Sequence, residues 1–119
     1  MTVGAEMGVL GRRRRLADRG YGVDIIDGPE PILQLGGDLS AHAIEPSIRH
    51  AVNTLMCHPT LRLVVDAGSV TGVDPFLIAQ IARLCLDGRP VVIRNPSAEL
   101  RQDLDRSALS ALVVFEQDT

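Results

Sequence analysis

The chain contains no lysine and no tryptophan, and its only aromatic residues are Tyr21, Phe76 and Phe115. Without lysine there is no Schiff-base amine and no P-loop ammonium to grip a nucleotide phosphate. With so few rings, the core has to be built from Leu, Ile, Val and Ala. Cysteine is scarce as well. Cys57 and Cys85 lie far apart with no CxxC pair, which suits buried, reduced thiols on helices better than a disulfide framework. No apolar run approaches the ~20 residues that span a bilayer. The arginines near the start have no long apolar stretch behind them, so no secretory signal is expected and a cytoplasmic location is.

What is present fits one domain, since 119 residues are too few for two independent cores. The net charge of −3 is unevenly spread. Residues 1–20 hold Arg12, Arg13, Arg14, Arg15 and Arg19 against Glu6 and Asp18, whereas the rest of the chain is acidic. An acidic body argues against direct binding of nucleic acid, which needs clustered cations for the phosphates. Residues 1–20 show no sustained periodicity and are punctuated by glycine, so they read as a mobile basic tail. The domain is expected over residues 21–119.

From Tyr21 the pattern becomes regular. Tyr21, Val23 and Ile25 alternate with polar positions, a turn follows at 27–31, and Ile32, Leu33 and Leu35 form a second strand. Glu45-Pro46 opens a helix with the stripe Ile48, Val52, Leu55, Met56, which His58-Pro59 ends. The run Leu61, Leu63, Val64, Val65 predicts a central strand covered on both faces. Asp74-Pro75 caps a second helix striped with Leu77, Ile78, Ile81 and Cys85, and Gly88 is placed to stop it. Val91–Ile93 is a further strand, Asn95-Pro96 repeats the cap-plus-proline device before Leu100 and Leu104, and Leu112–Phe115 closes the chain as a strand. The order β-β-α-β-α-β-α-β predicts an α/β fold with helices on a mixed, mostly parallel sheet.

Three segments at their spacing resemble the STAS domain of bacterial anti-sigma factor antagonists, over about residues 21–119. Leu35-Gly36-Gly37-Asp38-Leu39-Ser40 looks like the family's G-E-L-D segment. Leu63–Asp66 followed by Val70–Asp74 is similar to its strand and D-S-S-G segment. Gly88–Pro96 is similar to G-x-x-L-x-L-x-x-P/S. The resemblance implies a non-catalytic regulatory module of transcription whose partner is an anti-sigma factor or serine kinase-fold protein, held through Asp38, Ser40, His42, Thr71, Asp74 and Phe76. In the family, a serine of D-S-S-G is phosphorylated, and the added charge releases the partner. Here Pro75 and Phe76 stand where two serines would be, and Ser40 replaces the acid of G-E-L-D, so the switch is expected to be lost. Ser69 and Thr71 are the remaining hydroxyls, both out of register. Phe76 is expected either as an exposed aromatic anchor or folded into the core.

Two other readings follow from the same resemblance: an accessory subunit of an ABC-type lipid transporter, and a nucleotide-sensing domain. Pro75 removes one N–H from the helix start that would hold a phosphate. No cofactor is expected. His42, His50 and His58 recur too widely for zinc pairs. A triad of Ser69, His42 and Asp66 lacks a nucleophile elbow, so no enzyme activity is expected. Monomer and dimer both fit the sequence.

Overall fold

The computed structural model describes residues 13–15, 21–40 and 44–117. Its elements are β1 (Arg13–Arg15), β2 (Tyr21–Ile26), β3 (Ile32–Asp38), α1 (Glu45–Met56), β4 (Leu63–Gly72), α2 (Pro75–Leu86), β5 (Val91–Arg94), α3 (Ala98–Arg106), a 3₁₀ turn at Leu109–Leu112 and β6 (Val113–Glu116). The strands form one mixed sheet in the order β1-β2-β3-β4-β5-β6. β1, β2 and β3 pair antiparallel, whereas β3 to β6 run parallel. The α/β class and the mixed sheet agree with the sequence reading. Arg13–Arg15 differs from it: these residues add an edge strand where a tail without regular structure is expected. The rest of residues 1–20 lies outside the described residues.

Alternation along each strand divides the sheet into two unlike faces. Val23, Ile25, Leu33, Leu35, Leu63, Val65, Val91 and Ile93 point to one side and join Ile48, Leu55, Leu77, Ile81, Leu84, Leu100 and Leu104 from all three helices in a single core. Every crossover from β3 onward steps the same way across the sheet. With right-handed connections, that stacks the three described helices on one face. Leu63, Val64 and Val65 are all buried, as expected of a central strand covered on both faces, although the described helices lie on one of those faces only.

The other face, helix-free among the described residues, is ordered in rows. Register places Ile26, Ile32, Val64, Val92 and Val114 side by side in an apolar row. The next row is polar: Asp24, Gln34, Asp66, Arg94, Glu116. Val64 and Val92 are buried even though they lie outside the main core. A chain of ion pairs belongs to this face. Arg62 forks onto Glu30 at 2.7 and 3.0 Å and reaches Glu116 at 3.5 Å, while Arg94 holds the other oxygen of Glu116 at 3.0 Å.

Local chemistry sets the helix ends. α1 starts behind Ile44 without a side-chain cap but with proline in its first turn. Gly88, at φ 97°, takes the left-handed conformation that ends α2. The cap of α3 is Ser97, whose Oγ accepts the Leu100 N–H at 3.1 Å, and not Asn95 as its pairing with Pro96 predicts. Asn95 instead adopts φ 54° and donates its N–H to the Glu116 carbonyl at 2.7 Å. The two thiols also separate: Cys85 is half-buried, and burial raises its pKa, but Cys57 caps α1 and is exposed, contrary to expectation.

Candidate docking site

The carboxyl ends of β3 and β4 and the start of α2 meet at one pole of the parallel strands. Asp38, the last residue of β3, lies opposite Gly72, the last of β4, and the Leu39 N–H donates to the Gly72 carbonyl at 2.9 Å. This contact joins two segments far apart in the chain. It also explains the glycine: a Cβ at position 72 would strike Asp38 Oδ1 and lie 2.7 Å from its Cγ. The Asp38 carboxylate turns back on its own loop, where Oδ1 accepts the Ser40 amide at 3.0 Å and the Ser40 hydroxyl at 2.6 Å. Those two donors, the hydroxyl foremost, hold the Asp38 carboxyl below the usual carboxylate range. Asp38 and Ser40 are both exposed and form a hydrogen-bonded polar corner.

Two residues beyond Gly72, Asp74 caps α2 with extended backbone at φ −132° and ψ 169°. Its Oδ1 accepts the N–H groups of Phe76 at 3.0 Å and Leu77 at 3.3 Å, and the Ile78 N–H reaches the Asp74 carbonyl at 3.4 Å. Pro75 has no N–H. Three of the four orphan positions at the helix start, those of Pro75, Phe76 and Leu77, are therefore accounted for within the chain, which leaves little to cradle a phosphate.

Phe76 follows neither extreme of the sequence reading. It is half-buried, with the ring leaning on the core, and the Arg49 guanidinium of α1 stands 5.4 Å from the ring centroid. The stacked cation and ring make a surface that is apolar below and positive at its lip. Arg49 carries no sequence signal of this role, because its neighbour across the helix pair is set by packing alone.

The other expected site residues are distributed differently. The segment 68–72 is strand. β4 runs on to Gly72, with its register against β3 shifting between Gln34 and Gly36. The shift turns β4 over by one residue, so that Val70 enters the core and Ser69 and Thr71 are exposed on the helix-free side. Ser69 thus lines a trough of about 270 Å³ with Gly22, Asp24, Gln34 and Gly36, away from Phe76. Asp66 uses Oδ1 on the Gly68 N–H at 2.9 Å. His42 lies outside the described residues. His50 is exposed, and among the described residues no group of three potential metal ligands occurs. No described helix is long and apolar enough to cross a membrane.

The structure thus brings Asp38, Ser40, Asp74 and Phe76 to one pole, adds Arg49 and Gly72, and sets Ser69 and Thr71 on the opposite side of the sheet from α2. Comparison with known proteins returned no matching family model and no matching curated sequence.

Proposed function

We propose that this chain is a non-catalytic regulatory docking module of the STAS type, which captures an anti-sigma factor or related serine kinase-fold protein through the pole formed by Asp38, Ser40, Asp74, Phe76 and Arg49. The observation that carries the reading is the contact of Asp38 with Gly72, which makes one surface of the two segments whose sequences resemble the family. A half-buried ring beneath a guanidinium is a suitable anchor, because it offers apolar area at small entropic cost and a cation for an acidic partner group. The phospho-switch is absent from this reading. Pro75 and Phe76 have no hydroxyl, and the exposed Ser69 and Thr71 face the other side of the sheet. The engagement of the Phe76 and Leu77 amides by Asp74, with no N–H at Pro75, speaks against the nucleotide-sensing alternative at this pole.

The test is a calorimetric titration against purified anti-sigma kinase-fold proteins encoded in the same genome. Binding is expected, with loss in Phe76→Ala and in Ser40→Arg, and retention in Leu61→Arg at the far pole. A folded wild-type chain that binds none of them would sink the proposal. Stoichiometric phosphate on Ser69 or Thr71 after incubation with ATP and such a kinase would overturn the loss of the switch.

A further inference from the structure

The two edges of the sheet are not alike. One edge is β1, whose three residues are all arginine, and charge on an edge strand keeps other strands from adding to it. The other edge is β6, Val113-Val114-Phe115-Glu116. It has no proline and no cation, and its single acid, Glu116, is engaged by Arg94 and Arg62 of its own chain. Among the described residues, no strand pairs with the outer side of β6. Val114 is 55% exposed, and Leu112, directly before the strand, is 60% exposed.

The hydrogen bond from the Asn95 N–H to the Glu116 carbonyl fixes which backbone groups remain. Glu116 faces inward to β5, so by alternation Val114 does too, and the N–H and C=O groups of Val113 and Phe115 point outward. Only a strand that meets these two residues in phase can use them. A second copy does so by two-fold symmetry. Antiparallel β6 strands centred on Val114 oppose Val113 to the second copy's Phe115, and Phe115 to its Val113, as two hydrogen-bonded pairs. Val114 then meets the second copy's Val114 on the axis, on the helix-free face. The apolar row Ile26-Ile32-Val64-Val92-Val114 continues without a break into its symmetry mate. On the helix face, the Phe115 ring, already under Arg101 at 4.4 Å, gains a valine neighbour. In this register, which is in phase with the outward backbone groups, both faces match.

We propose that this chain forms a two-fold homodimer by antiparallel pairing of β6 edge to edge, with Val114 on the axis. The contact is short, and the dimer belongs to the weak, reversible class.

Sedimentation velocity of the full chain from about 10 μM to about 1 mM tests it, a range that spans weak association. The expected result is a reversible rise from the 12.8 kDa monomer toward twice that mass. Val114→Lys places like charges opposite each other on the axis and weakens association at least about tenfold, with an unchanged circular dichroism spectrum. Leu86→Lys, at an exposed leucine away from β6, leaves it intact. In a Cys57→Ser background, Val114→Cys forms an intermolecular disulfide under mild oxidation, because non-hydrogen-bonded antiparallel pairs bring Cβ atoms within bridging range. A wild-type chain that stays monomeric throughout overturns the proposal. So does a dimer indifferent to Val114→Lys, or a Val114→Cys chain that fails to cross-link.

Discussion

Arg89 is the residue whose removal should cost the fold most for a side chain outside the core. It sits in the turn between α2 and β5, yet its guanidinium reaches back to the end of α1. Nη1 donates to the carbonyls of His58 at 2.5 Å and Thr60 at 3.1 Å, and Nη2 donates to that of Met56 at 2.6 Å. Nε and Nη2 also hold the two Asp87 oxygens at 2.6 and 3.2 Å. The helix end has no basic residue of its own, so one planar fork satisfies carbonyls that would otherwise rely on water. Each hydrogen bond from a charged donor is worth about 1 kcal/mol net at a partly exposed site. Arg89→Ala should therefore lower the unfolding free energy by about 2–4 kcal/mol, a fall in Tm of roughly 10–20 °C for a domain of this size. Arg89→Lys should recover less than half, because a single ammonium cannot span three carbonyls and a carboxylate. Urea denaturation followed by circular dichroism reads both. If Arg89→Ala costs under about 1 kcal/mol, the guanidinium is not acting as the cap of α1, and the reasoning fails.

Three further outcomes are expected. Gly72→Ala should destabilise by about 1 kcal/mol through collision with Asp38, and this cost should shrink in an Asp38→Ala background, read as a double-mutant cycle in urea. Asp74→Ala should cost about 1 kcal/mol by freeing the N–H groups of Phe76 and Leu77, with Asp74→Ser recovering most of it in the same assay. Acid should weaken the fold with a definite sign. Arg62 depresses the pKa of Glu30, Ser40 that of Asp38 and Arg89 that of Asp87, so the stability these carboxylates add is complete above the ordinary carboxylate range and is lost as pH falls through their depressed values. Urea midpoints should thus hold from neutral down to about pH 5 and fall below it, and Arg62→Met should make the fall shallower.

The sequence by itself determined the local elements. Apolar residues at helical spacing, as in Ile48, Val52 and Leu55, and alternation, as in Val23 and Ile25, can bury a face in only one kind of backbone. Asp74-Pro75 marked a helix start for the same local reason, since a cap acts within three residues of itself. Tertiary structure decided what depends on neighbours distant in the chain. Val64 reads like Leu63 and Val65, but register places it on the helix-free face. Ser69 and Thr71 sit outside the core because a register shift against β3 turned β4 over, and no composition of residues 66–72 announces that. Arg49 over Phe76, Arg89 beneath α1 and Asp38 against Gly72 each join segments that meet only after the sheet has formed. The last strand shows the division most plainly. Its residues say strand, but only the order of the sheet makes it an edge, with Val113 and Phe115 offering their backbone to a second chain.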